Sequence, residues 1–402
     1  MTSDSVDTIV VGAGILGLAV AREILQRRPS QRVLVVERES RPAAHQTGHN
    51  SGVIHAGVYY APGSLKARLC VTGAARLYAY CERHHLDVQR IGKLIIAVDP
   101  SEIPALEELE RRANANGVPD IRRLDAEGLR EIEPHATGLA ALHSPYTGIV
   151  DFGAVGARMA EDVRESGGEL RLDWSVAGVR TSARGIRLRS AAGDEVAGGR
   201  AVFCAGLWSD RLAVLAGAGP DPRIVPFRGG YLALRPERRH LVRGLIYPVP
   251  DPRLPFLGIH LTPRVDGEVL LGPSALLAGA RDAYRLGTIR GADVRDTVTW
   301  PGTWRMLRRW WRMGFSELRF ATSRSAFAAE ASRYVPEVRA EDLLPSLSGV
   351  RAQAVARDGR LVDDFLLSAT PRAVHVRNAP SPAATSSLAL AERIADAADE
   401  LG

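Results

Sequence analysis

The chain has 402 residues, 46% of them apolar, enough for two lobes around a substantial core, and no apolar run is long enough to cross a bilayer. Its three cysteines, Cys70, Cys81 and Cys204, form neither a CxxC pair nor a Cys/His ligand cluster, so neither a disulfide framework nor a metal site is expected. The net charge of +6 comes from 52 basic residues interspersed with 46 acidic ones, a pattern without a nucleic-acid footprint that suits anionic small molecules or an acidic membrane surface.

In chain order, Asp4 and Asp7 stand where a secretion signal carries basic residues, which makes cytoplasmic residence the expectation. "VDTIVVGAGILGLAVAREILQRRPSQRVLVVERES" then reads as a buried strand, a glycine turn, an amphipathic helix and a second strand. In this βαβ unit Gly12 permits the tight turn, Gly14 admits a pyrophosphate and Gly17 lets helix press on strand. Glu37 ends the second strand, where a carboxylate accepts both hydroxyls of an adenosine ribose. NAD and FAD folds share these features, so they predict a dinucleotide without choosing one.

"HQTGHNSGVIHAGVYY", His45 to Tyr60, follows directly and combines three histidines with paired tyrosines and three glycines. Further on, "VDFGAVGARMAEDVRESGGELRLDWSVAGVRTSARGIRLRSAAG" predicts a helix, a strand and a β-meander containing Val176. "RAVFCAGLWSDRLAVLAG" predicts an apolar strand, Gly206 and another helix. This late return to the nucleotide domain suits a flavoprotein. "PFRGGYLALRP" and "PFLGIHLTPRVDGEVLLGPS" predict strands of a second sheet, and "TWRMLRRWWRMGFSELRF" an amphipathic helix. That helix suits packing on the substrate lobe or a subunit partner, and its tryptophans and arginines also suit a peripheral membrane contact. The C-terminal "VRNAPSPAATSSLALAERIADAADEL" predicts a strand, a small-residue loop and a final helix, with Ala383, Ala384 and Thr385 offering backbone amides to a flavin pyrimidine carbonyl.

The expected fold class is α/β: a Rossmann-like FAD-binding domain from residues 1–87, 150–225 and 340–402, with an inserted, sheet-rich substrate domain from 88–149 and 226–339.

"HQTGHNSGVIHAGVYYAPGSLKARLC", "IYPVPDPRLPFLGIHLTPRVDGEVLLGP", "GVRAQAV" and "NAPSPAATSSLA" resemble the L-2-hydroxyglutarate oxidase/dehydrogenase family, part of the D-amino-acid-oxidase superfamily of FAD enzymes. The similarity runs from the first strand to the last helix, with only the segment around 281–330 unfamiliar. The resemblance implies a two-domain flavoenzyme that oxidises L-2-hydroxyglutarate to 2-oxoglutarate, with oxygen or a quinone as electron acceptor. One departure stands out: Gly230 precedes Tyr231 where the family pattern has an acidic residue. Either that position touches substrate and the substrate range has shifted, or it is a surface strand substitution. Another 2-hydroxy acid or an amino acid, or a flavin protein without turnover, is the alternative.

Flavin oxidation of a hydroxy acid needs a hydride acceptor, a base for the hydroxyl proton and cations for the carboxylates. Strand alternation sets His260 on the face opposite Leu257, Ile259 and Leu261, which makes it the first candidate for the base; a solvent-facing strand histidine is the plain alternative. His49 and His55 compete for the role, and His55 is also a candidate contact for the substrate carboxylate, against a core histidine bonded to backbone. Thr47, His49, Asn50 and Ser51 are candidate flavin contacts through hydroxyl, ring and amide groups. His45, His49 and His55 lack the acidic or cysteine partners of a metal site. Arg351, Arg228 and Lys66 are the candidate cations for the substrate's carboxylates, with Tyr60 and Tyr231 closing the pocket. Lys66 and Lys93 are the chain's only lysines; the arginine bias reads as codon composition.

Overall fold

The structure, a computed structural model, describes residues 5–251 and 257–401, apart from the side chains of Met313, Phe315 and Ser316. The residues 252–256, inside one family-like block, lie outside the described residues.

An eight-stranded sheet forms around the strand Val6–Val11. Val33–Val36 and Glu195–Phe203 pair parallel on its two sides, Glu169–Arg171 extends one edge, and Ala373–Asn378 adds parallel to Glu195–Phe203. Ile9, Val10 and Val33 to Val36 are buried because helices cover the sheet, which explains continuous apolar runs in place of alternation. The helices Ile15–Arg27, Leu65–Arg83, Phe152–Glu165 and Ser387–Asp399 supply Leu18, Leu77, Val155 and Leu390 to one core with Val10, Val35 and Val202. The meander Val176–Ser182 and Gly185–Ser190 returns antiparallel onto Glu195–Phe203.

A second, nine-stranded sheet runs in the order Leu276–Leu277, Arg223–Leu234, Val269–Gly272, His260–Pro263, Leu245–Pro248, Lys93–Ala97, Ala140–Ser144, Arg122–Asp125. Its ninth strand, Leu343–Val355, pairs antiparallel with Arg223–Leu234 from Leu343↔Leu234 to Val355↔Arg223. This corrects the boundary at 340: residues 343–355 belong to the second sheet, held by that ladder, and the chain rejoins the first sheet at Leu366–Thr370 and Ala373–Asn378. The segment around 281–330 forms the helices Gly291–Thr299, Pro301–Thr322 and part of Arg324–Ala331, with a kink at Trp310. Trp304 and Trp311 are exposed on the second of these.

Candidate active site

A cavity of about 930 Å³ extends from the glycine turn of the first sheet to the face of the second. At its nucleotide end Gly12 has a φ of +106°, and a Cβ there would stand 2.5 Å from the Cys204 carbonyl oxygen. Gly17 is packed so closely that a Cβ would meet Gly12 O at 1.9 Å; it shapes the turn from behind and does not line the cavity. Gly14 does line it, and the nearest atom to a Cβ on Gly14 would be Thr47 Oγ1 at 3.4 Å, so the room in front of it belongs to the cavity. The helix Ile15–Arg27 starts without a side-chain cap on Gly14, and Ile15 N–H donates to Thr47 Oγ1 at 3.0 Å. Glu37 accepts from Ala13 N–H at 2.7 Å and from Glu39 N–H at 3.0 Å, which fixes its carboxylate at the cavity wall. Val176 and Gly206 line the same end. Sequence reasoning missed Arg38 and Trp208 there, whose guanidinium and ring stack at 4.1 Å; nothing in the local pattern joins residues so far apart.

The loop after the second strand carries Thr47, His49, Asn50 and Ser51 along the cavity. Asn50 builds the loop: its amide donates to Gln46 O at 3.0 Å and Thr47 O at 2.7 Å, and its oxygen accepts from Gly52 N–H at 2.8 Å. Both amide protons are thereby spent inside the loop, so Asn50 shapes the wall and keeps only a second lone pair on its oxygen to offer. Ser51 lies beside Tyr231, which also lines the cavity. His49 stacks on Tyr284 with centroids 4.0 Å apart, a partner supplied by the segment around 281–330. Opposite, Ala383, Ala384 and Thr385 form a small-residue wall, and Thr385 Oγ1 accepts from His55 N–H at 3.1 Å. Behind that wall the hydroxyls of Ser386 and Ser387 are buried without a protein partner. The helix start facing the cavity, the clearance at Gly14 and the fixed Glu37 carboxylate together fit FAD.

At the far end, His260 and His55 both line the cavity. His260 is 7% exposed, so it is not a solvent-facing strand histidine. Its Nδ1 lies 3.0 Å from Gly258 O; it donates there, which leaves Nε2 as the unprotonated acceptor. Burial, with Lys93 and Arg351 adding to it, pushes its pKa down to about 3. His55 Nε2 stands 3.3 Å from Ser381 Oγ, its Nδ1 is buried without a partner, and burial holds its pKa well below the usual histidine range. Arg351 lines the cavity; burial lowers its pKa, opposed by Tyr231 and Glu317.

The strand Arg223–Leu234 turns Phe227, Gly229 and Tyr231 toward the cavity and Arg228 and Gly230 away. Arg228 is therefore corrected as a direct cavity contact: its guanidinium donates to Tyr284 O at 3.4 Å. Gly230 faces the same way, where a Cβ would meet Arg228 Nη1 at 3.0 Å, so the departure from the family pattern lies behind the cavity wall. Lys66 is also outside the lining, with its ammonium 5.6 Å from the ring centroid of Tyr60, which does line it. Tyr59 and Tyr247 complete this end; the second was missed, hidden in an apolar strand. Among the described residues, no cluster of histidine, cysteine, aspartate or glutamate is arranged to hold a metal ion.

A family model for FAD dependent oxidoreductases matches residues 7–397. The chain is 45% identical to the mitochondrial L-2-hydroxyglutarate dehydrogenase of Homo sapiens over 98% of its own length and 89% of that protein. It is 41% identical to the L-2-hydroxyglutarate dehydrogenase of Escherichia coli strain K12 over 96% and 92%. Among solved structures it is similar in fold to the FAD-bound L-alpha-glycerophosphate oxidase of Mycoplasma pneumoniae, with a TM-score of 0.79 at 22% identity, covering 99% of this chain and 94% of that one. The glycine oxidase of Geobacillus kaustophilus gives a TM-score of 0.73 at 18% identity, with 98% and 95% covered. The chain belongs to the FAD-dependent oxidoreductase family and, within it, to the L-2-hydroxyglutarate dehydrogenases.

Proposed function

We infer that the protein oxidises L-2-hydroxyglutarate to 2-oxoglutarate with FAD. The observation that carries this is the joining of a dinucleotide cradle to an end where His260 and Arg351 line the same cavity, in a chain 41–45% identical to relatives named for this substrate. When bound, FAD supplies the acceptor for the hydride from the substrate's C2.

The roles of the chain's own residues are part of this proposal. Gly12, Gly14 and the helix start at Ile15 receive the pyrophosphate, Glu37 the ribose, and the wall at Ala383, Ala384 and Thr385 the flavin. Arg351 holds the carboxylate beside the reacting carbon through its planar fork. His260 Nε2 takes the hydroxyl proton. A substrate carboxylate at Arg351 cancels one of the positive charges that depress His260, and so raises the imidazole toward the basicity a proton acceptor needs. Tyr59, Tyr60 and Tyr231 exclude water around it. The two-domain division, with residues 343–355 moved to the substrate side, belongs to the same reading. Anaerobic flavin bleaching by L-2-hydroxyglutarate tests it.

The acceptor that reoxidises the enzyme is oxygen or a quinone, distinguished by reoxidation rates in each. Cytoplasmic residence is retained, tested by fractionation; no helix among the described residues is long and apolar enough to cross a membrane. A peripheral contact is proposed at the helix Pro301–Thr322, where Trp304 is 59% and Trp311 56% exposed among arginines. Salt-sensitive sedimentation with anionic vesicles supports it, and absence from vesicles at low salt removes it.

A further inference from the structure

Lys93 opens the strand Lys93–Ala97 and is 2% exposed. Its ammonium stands 4.2 Å from the ring centroid of Tyr247 and 5.2 Å from that of Tyr59. Both rings line the cavity, and Lys93 lies behind them, outside the lining. Tyr247 also stacks on His260 at 4.0 Å, so ammonium, phenol ring and imidazole form one connected group at the substrate end.

A buried ammonium is costly unless a negative charge meets it, and aromatic faces offset only part of that cost. Among the described residues no carboxylate forms an ion pair with Lys93, and the groups that its ammonium meets are uncharged at neutral pH. Cys70, from the helix Leu65–Arg83, is pushed up to about 12 by burial. Tyr59 and Tyr247 are raised above the usual phenol range by burial, while His55 and His260 are held neutral. Glu133 and His143 border a small void on which Lys93 also abuts. The Glu133 carboxylate is bound by the backbone amides of Arg243 and Gly244, and His143 is held low by burial. Burial pulls Lys93 itself down to about 7. The chain otherwise uses arginine almost throughout, yet has at this place one of its two lysines, the cation that can give up its proton.

We propose that Lys93 is a positioning residue that acts through the Tyr59 and Tyr247 rings as the buried counter-charge of the substrate's carboxylates. The proposal rests on the reading of the substrate as a dicarboxylate. In the empty site Lys93 sheds its proton to solvent; arrival of the dianion raises its proton affinity, one proton is taken up from solvent, and departure of product returns it.

The test uses the FAD-loaded protein and glutarate, a dianion without the reacting hydroxyl, with binding followed by the flavin spectrum. At pH 7.5, in weak buffer with an indicator dye, binding takes up a substantial fraction of a proton per site. Affinity falls by roughly tenfold from pH 6 to 8.5, the size of one charge interaction across a ring layer. Lys93→Met removes both the uptake and the pH step. With L-2-hydroxyglutarate, it raises the half-saturating concentration by more than it lowers the limiting rate. Lys93→Arg restores affinity and makes it independent of pH. A purely structural lysine would lower stability without removing a pH step in affinity. Absence of proton uptake by the unmodified protein between pH 6.5 and 8 overturns the proposal without any variant having to fold, and so does a pH step that survives in Lys93→Met. Protein that binds glutarate with uptake but is never bleached by L-2-hydroxyglutarate contradicts the substrate reading and leaves the role of Lys93 supported.

Discussion

His260 lies against Tyr247 with ring centroids 4.0 Å apart and planes 26° from parallel, while its Nδ1 is held by the Gly258 carbonyl at 3.0 Å. One nitrogen and one ring face are thereby fixed, and Nε2 remains as the proton acceptor. His260→Ala lowers the anaerobic flavin-reduction rate by roughly a hundredfold or more while FAD stays bound, the usual scale of general base catalysis. His55→Ala is the control, because His55 lines the same cavity. Near-normal reduction in His260→Ala with collapse in His55→Ala moves the base to the loop.

The pH dependence follows from the direction of the shift. His260 is pushed from 6.5 down to about 3, first by burial. The second-order rate of flavin reduction at low substrate, which reports the free enzyme, therefore shows no acid limb from His260 between pH 6.5 and 5. For stability, the folded pKa lies below the unfolded one, so the unfolded chain binds more protons between about 3 and 6.5. The contribution of neutral His260 is complete above pH 6.5 and is lost as pH falls through that window. Thermal midpoints of apoprotein decline across it, and less steeply in His260→Gln.

Arg351 and Arg228 separate a cavity cation from a wall cation. Arg351→Lys loses the planar fork and raises half-saturation by roughly tenfold, more than it lowers the limiting rate. Arg228→Ala removes a contact to Tyr284 O outside the cavity, and steady-state kinetics change by less than about threefold. Equal effects of the two would restore Arg228 to the substrate.

Glu37 joins the glycine turn to the nucleotide. Glu37→Arg reverses the charge at the ribose and abandons the hydrogen bonds to Ala13 and Glu39. Titration of apoprotein with FAD shows an affinity loss of about 2 kcal/mol or more, roughly thirtyfold.

What the sequence made legible was local. The glycine turn and Glu37 are set by neighbours in sequence and line the cavity where expected; the alternation read around His260 is not strict, since the strand starts at His260 and Leu257, read as lying on the opposite face, lines the same cavity. The same rule held unused information. Arg228 and Tyr231 are three residues apart on one strand, so they point to opposite faces, and both cannot enter the cavity. The partner of Leu343–Val355 was not legible, because the ladder to Arg223–Leu234 joins residues more than a hundred positions apart. Lys93 was hidden for a related reason. "KLIIA" reads as an ordinary buried strand, and only the pairing of Tyr247 with Ile95 brings the two aromatic residues and the lysine to one side of the sheet. Tyr284, which stacks on His49, comes from the segment without family likeness.

The most direct test of the account is the absorbance spectrum of purified protein before and after anaerobic addition of L-2-hydroxyglutarate. Yellow protein with an oxidised flavin spectrum that bleaches on addition, with one equivalent of 2-oxoglutarate formed per flavin, is the predicted result. Protein that stays colourless with added FAD, or flavin that remains oxidised with this substrate while another hydroxy or amino acid bleaches it, would contradict the account.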